Sequence, residues 1–202
     1  MIVDDIPWRF LIGRTIYVKD DLLSEILFGV QEKWVLMYCF VDYKYGIQFA
    51  AIGAGSLNPL KIVSWESSYS NIVRYERIAN CQVLVSVMKR MQRCDYEYAA
   101  RITEQTAGLN KETDMIRKLR NCTYFDDRRM YWHPDLLEIP AESVNGEKVC
   151  VRLKNVDGNV FYGVSENKNK HYSAGEILYL NIVRREGQTC SIYASSRKKA
   201  RP

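Results

Sequence analysis

Along most of the chain the apolar positions alternate with polar ones or gather in short blocks, and they seldom recur at helical spacing. RTIYVKD (14–20) alternates and predicts a strand. KWVLMYCFV (33–41) is apolar on both faces, as a strand covered on two sides must be, and YGIQFAAIG (45–53) follows after a turn that contains Gly46. LKIVSWES (60–67), NIVRYERI (71–78) and CQVLVSVMKR (81–90) continue the strand pattern. In the last, Val83, Val85 and Val87 share one face while Leu84, Ser86 and Met88 share the other.

The pattern changes at DYEYAARITEQTAGLNKETDMIRKLRN (95–121), which is rich in helix formers and broken at Gly108-Leu109-Asn110. It predicts two short helices, or a helix and a structured excursion, with Asp95 and Asn110 as caps. Strands then return. KVCVRLKNV (148–156) and NVFYGVS (159–165) flank Asp157-Gly158, and EILYLNIVRRE (176–186) and TCSIYAS (189–195) flank Glu186-Gly187, so two hairpins are predicted. Many short strands with one helical insertion predict a mainly β fold with a minor α part, a partly open β-barrel or a sandwich. GAGSLNP (53–59) is the strongest punctuation and predicts a division there. On that reading, residues 1–55 form a β-rich extension packed on or completing the barrel, 56–195 the main domain and 196–202 a basic tail.

Composition narrows the class. With 202 residues, 47% of them hydrophobic and 12% aromatic, the chain can bury a sizeable core and is not a disordered tail protein. Its longest apolar run, Trp34 to Val41, is far too short for a membrane helix, and two early acids in MIVDDIPWRF argue against a secretory leader. The six cysteines are scattered without metal-ligand spacing, which points to free thiols in a reducing compartment, with no zinc site. Asn121-Cys122-Thr123 then matches a glycosylation sequon by coincidence.

Charge is unevenly placed. Residues 1–100 are balanced, whereas RREGQTCSIYASSRKKARP (184–202) holds six basic groups and one acid, equal to the whole formal excess of +5. Arg197, Lys198, Lys199 and Arg201 are a solvated tail or a sequence-independent attraction for a polyanion.

Candidate chemistry is sparse. There are two histidines, His133 and His171, and no metalloprotease, phosphate-loop or nucleophile-elbow motif. A thiol–imidazole dyad on His133 and paired carboxylates at Glu138 and Glu142 are the remaining catalytic options, and neither has supporting context. No enzyme and no cofactor is expected. Aromatics interleaved with charge are more suggestive: Trp65, Tyr69, Tyr75, Tyr131, Trp132, Phe161 and Tyr162 are either a packed β core with amphipathic edges or a groove for a peptide, a methylated lysine or a base.

SSYSNIVRYERI (67–78), CQVLVSVMKR (81–90), RRMYWHPDLLEIPAESVNGEKVCV (128–151) and NVFYGVS (159–165), in that order, resemble a bromo-adjacent homology domain. The likeness spans about residues 60–165 and is nearest in manner to divergent members in replication-origin and silencing proteins. It implies a nuclear, non-enzymatic module that contacts nucleosomes, histones or silencing and replication partners, with strands 71–78, 83–90 and 148–153 adjacent in one curved sheet. Asn71 and Val87 stand where methyl-lysine-reading members carry aromatics. Neither offers a π face to an alkylammonium, so the usual cage is not expected. The candidate binding residues are Trp65, Tyr69, Lys89, Arg90, Arg93, Trp132, Arg197, Lys198 and Lys199. The alternative is an adaptor that takes a partner peptide on an edge strand or aromatic groove, without chromatin contact.

Overall fold

The structure is a computed structural model and describes residues 1–57, 60–65, 71–85, 91–110, 112–141, 147–157, 160–168, 170–183 and 191–196. Strand outweighs helix among them, 46% against 29%, so the mainly β class with a minor α part holds. The chain divides into two compact units, Met1–Lys111 and Glu112–Pro202, each built on one antiparallel six-stranded sheet.

In the first unit the strands are β1 (Thr15–Lys19), β2 (Trp34–Asp42), β3 (Gly46–Ser56), β4 (Lys61–Trp65), β5 (Ile72–Arg74) and β6 (Val83–Val85). Their order is β4-β3-β2-β1-β6, with β5 also paired to β3. β2 is apolar throughout because both faces of this sheet are covered. Val35, Met37, Cys39 and Val41 point into one core with Leu11, Leu23 and Ile78. Leu36, Tyr38 and Phe40 point into another with Ile52 and Ala99. Helices α1 (Trp8–Leu11), α2 (Asp21–Phe28) and α3 (Tyr75–Ile78) supply the first cover, and α4 (Arg93–Ala107) the second. α2 starts where the Asp20 carboxylate accepts the Leu23 N–H at 2.9 Å, and it ends on Gly29 at φ +65°.

The second unit holds α5 (Asp114–Asn121) and β7 (Arg129–Met130), β8 (His133–Pro140), β9 (Lys148–Asp157), β10 (Val160–Ser165), β11 (Ile177–Val183) and β12 (Ser191–Ser195), in sequential order. A parallel bridge between Ala141 and Ala194 brings β12 back to the end of β8, so the sheet curls into a half-barrel around one core. Leu137, Ile139, Val149, Val151, Leu153, Leu178, Leu180 and Ile192 fill that core, and Phe125 meets Phe161 edge to face at 4.9 Å. The β9–β10 register shifts beside Gly163, where a Cβ would lie 2.2 Å from the Arg152 carbonyl oxygen, so only glycine permits the approach.

Several expectations change. The division falls at 111/112, not at 55/56, because GAGS is the end of β3 and not a linker. A Cβ on Gly55 would lie 2.0 Å from the Lys61 carbonyl oxygen, so the glycines there admit β4 against β3. Residues 1–55 are accordingly three of the six strands of the first sheet. NIVRYERI is half strand and half helix, β5 followed by α3. β5 and β6 belong to the first sheet and β9 to the second, so the three segments expected side by side do not share one sheet. The two helices of 95–121 form as expected, one in each unit, but on other caps. Gln92 precedes α4, and Thr113 caps α5 through the Ile116 N–H at 3.2 Å. The expected cap side chains are used in tertiary contacts instead: Asp95 accepts the Ile62 N–H, while Asn110 accepts the Val41 N–H and donates to the Tyr38 hydroxyl at 2.7 Å. Gly158 and Glu186-Gly187, at the predicted turns, lie outside the described residues, but the strands flanking them pair as hairpins.

Candidate functional site

The segment RRMYWHPDLLEIP folds as β7, a two-residue turn and β8. Tyr131 and Trp132 form the turn and stay 40% and 36% exposed, against the usual tendency of aromatics to be buried. The polar scaffold beneath explains why the turn is held out. The Arg129 guanidinium is buried and donates to the carbonyl oxygens of Pro134, Leu119 (2.7 Å) and Cys122 (3.0 Å), and to the Asp126 carboxylate (3.1 Å). It therefore ties the start of β8, the end of α5 and the 3-10 turn Thr123–Arg128 together. Arg120 on α5 makes a two-pronged pair with Asp135 at 2.8 and 2.6 Å, both buried, and also reaches Glu112.

A cavity of about 350 Å³ opens beside the turn, against Arg128, Met130, Tyr131, Trp132, Glu138 and Lys148. Its rim carries both signs of charge. Lys148 pairs with Glu138 across the β8–β9 hairpin at 2.9 Å, and Arg128 pairs with Asp127 at 3.4 Å. Two exposed aromatic rings beside paired charges suit an apolar or aromatic side chain flanked by polar backbone.

His133, next to Trp132, is buried. Its Nε2 lies 3.1 Å from the Arg152 guanidinium, which can only donate, so that nitrogen is occupied as an acceptor. Arg152 also holds Glu166 at 2.5 and 2.9 Å, and this hydrogen bonding, aided by the guanidinium charge, lowers the Glu166 pKa below the usual carboxylate range. His171 pairs with Glu147 at 3.0 Å. Thiol chemistry gains little from these surroundings. Burial pushes the pKa of Cys39 well up, and burial with a neighbouring carboxylate raises Cys81 (Asp20) and Cys150 (Glu166). The described cysteines, Cys39, Cys81, Cys94, Cys122 and Cys150, are free. Among the described residues no three His, Cys, Asp or Glu side chains gather as metal ligands, and no helix is long and apolar enough to cross a membrane.

The expected binding residues are dispersed. Trp132 lies on the turn just described. Trp65, at the end of β4, is half-buried against the second core of the first unit. It packs on Tyr98 at 4.4 Å between ring centroids, and Arg101 sits over that tyrosine. It is a packing residue. Arg93, the first residue of α4, is exposed but engaged with Glu97 at 3.0 Å. Tyr69, Lys89, Arg90, Arg197, Lys198 and Lys199 lie outside the described residues, as does Glu142; Glu138 is paired with a lysine and not with a second carboxylate. Sequence reasoning named Tyr131 among the aromatics that could line a groove but did not carry it, Arg128 or Lys148 into the set of binding residues. The Tyr-Trp pair was visible, but Lys148 reaches the groove only through the hairpin register that sets it opposite Pro140. No family model matches the chain, and neither a curated protein nor a solved structure matches it.

Proposed function

We propose that the chain is a non-enzymatic interaction protein that takes a segment of a partner protein against the Tyr131–Trp132 turn. The observation that carries this reading is an exposed aromatic pair on a rigid base, because Arg129 and the Arg120–Asp135 pair fix the backbone that presents it. Tryptophan, tyrosine and arginine on a preorganised support are the groups that dominate binding energy at protein interfaces. The test is selection of peptides from a displayed random library on the full chain, followed by titration. Selected peptides should lose affinity on the order of thirty-fold or more with Trp132→Ala, and Tyr131→Ala should weaken them as well. Peptides that bind Trp132→Ala, folded by circular dichroism, as tightly as the parent chain would overturn the proposal.

A second reading, a nuclear module on nucleosomes, is favoured by one observation: the formal excess of +5 resides in the last 19 residues, Arg184 onward. It keeps the bromo-adjacent homology resemblance as its other support. Phosphate contacts of this kind release counterions, so nucleosome affinity should fall steeply with salt and with deletion of 196–202, while peptide affinity stays unchanged. Nucleosome binding that ignores salt would remove this reading and leave the first intact.

A further inference from the structure

His133 is a buried titratable side chain set immediately after Trp132, at the first position of β8. It is 1% exposed, and its ring meets the Trp132 ring edge to face with centroids 5.5 Å apart. Its Nε2 lies 3.1 Å from the Arg152 guanidinium of the neighbouring strand β9. A guanidinium has donors only and keeps its charge throughout, so this contact exists only while Nε2 holds a free lone pair. The imidazole next to the turn is therefore neutral, with its proton on Nδ1.

The surroundings decide what a second proton does. Arg152 faces the imidazole from β9, and Glu166, after β10, is the carboxylate in electrostatic reach of it. Glu166 is committed to Arg152, accepting from its Nε at 2.5 Å and from its Nη2 at 2.9 Å. The nearest charges on β8 and β7 are engaged elsewhere, Asp135 with Arg120 of α5, and Arg129 with main-chain carbonyls and Asp126. The Cys150 thiol of β9, pushed up by burial and by Glu166, stays uncharged. Protonation at Nε2 would aim one donor at another and leave two cations in buried contact, with a single carboxylate to share.

We infer that His133 is an acid switch built under the Tyr131–Trp132 turn: protonation of its imidazole breaks the Arg152 bond and frees the turn from its base. The reading of that turn as a partner site enters only in the consequence, release of the partner in mild acid. The break itself is a property of the fold and is read without a partner. An imidazole whose second proton is opposed in the native state takes it more readily when unfolded. The contact therefore stabilises the fold above the ordinary histidine value of ~6.5, and the benefit fades as pH falls below it. The Glu166 contribution fades lower, below the ordinary glutamate value of ~4.3, which separates the two.

The test is a titration of the full chain between about pH 8 and about pH 5, the range in which histidine charge changes. Ring-nitrogen NMR follows His133, with His171→Gln removing the signals of the other histidine. Trp132 emission follows the turn, taken as the difference between the parent chain and Trp132→Phe. At neutrality Nε2 should be unprotonated. On acidification Trp132 emission should change in one step that begins below the ordinary histidine value, and amide exchange at Tyr131 and Trp132 should speed on the order of ten-fold across it.

His133→Gln supplies a side-chain oxygen that accepts from Arg152 and does not titrate, so the step should vanish. Peptides selected on the turn should weaken on the order of ten-fold between neutrality and about pH 5 on the parent chain, and should lose that pH dependence on His133→Gln. If no peptide depends on Trp132 but the step is present and His133→Gln removes it, the switch stands and the partner reading falls. A proton on Nε2 at neutrality, or a step that survives in folded His133→Gln, would overturn the inference. Where His133→Gln does not fold, the parent chain decides: an imidazole that gains its second proton while Trp132 emission and turn exchange stay unmoved overturns it equally.

Discussion

The two units solve the same problem, a six-stranded antiparallel sheet, in opposite ways. In the first, both faces are covered and two apolar cores sandwich β2 and β3, whose side chains are buried almost end to end. In the second the sheet curls over one core, and its outer face carries Tyr162, Tyr179 and Asn155 together with Val160 and the exposed Ile177. The connections there are held by buried arginines: Arg120 on Asp135, Arg129 on main-chain carbonyls, and Arg152 on His133 and Glu166. Doubly covered sheets have no face to offer a ligand. A curled sheet with one wet face and ion-pinned loops does, and the proposed partner site lies on it.

The contrast can be broken at its strongest points. In the first unit, Phe49→Ala empties a fully buried site and should cost about 3–5 kcal/mol of stability in urea denaturation. In the second, Asp135→Ala leaves the Arg120 charge buried without its main partner and should cost about the same 3–5 kcal/mol. Repair distinguishes the two. Replacing both partners with apolar groups, Arg120→Met with Asp135→Leu, should recover most of the loss, since an ion pair of this kind is costly to break but not to replace. If the double variant is as unstable as Asp135→Ala, the pair is not what holds α5 to β8.

A smaller effect tests how α5 begins. Thr113→Ala removes the hydroxyl that accepts the Ile116 N–H and should cost about 1 kcal/mol, read as a shift of the same transition. Thr113→Asp should keep the cap.

The sign of the Glu166 contribution follows from its lowered pKa. A carboxyl depressed on folding stabilises the native state above the ordinary glutamate value, and the benefit vanishes as pH falls through the depressed one. The stability gap between the parent chain and Glu166→Gln should therefore be largest near neutrality and close on the acid side. A gap that widens toward low pH would reverse the assignment. Smallest of all, a thiol probe at neutral pH should label exposed Cys94 before Cys39, Cys81 or Cys150, which burial keeps protonated and shielded.

Local pattern made most elements legible. The alternation in 14–20, the apolar block 33–41 and the strands flanking each later hairpin all appear where the side-chain period of two puts them. The helices within 95–121 were legible for a different local reason, a run of helix formers broken at Gly108-Leu109-Asn110. The errors share one cause, which is that a short segment does not announce its distant partner. Asp95 and Asn110 look like caps because their side chains can bond a local backbone, yet longer-range donors, Ile62 and Val41, claim them. The glycines of 53–56 look like a linker, yet they are small because β4 passes against them. The candidate site was half visible: Tyr131-Trp132 is conspicuous in the chain, whereas Lys148 joins it only across a hairpin register.

By itself, then, the order of residues determined the class of the fold, the run of strands, the helical interlude between them and the concentration of positive charge toward the C-terminus. These depend on neighbours two to four positions apart and on composition. The tertiary structure alone decided that the strands divide into two sheets between 111 and 112, that Trp65 is packing while Trp132 is exposed, and that Arg152 meets His133. Each of these rests on pairing between residues far apart in the chain. Such pairing is chosen by the free energy of burying whole faces together, which no local stretch carries.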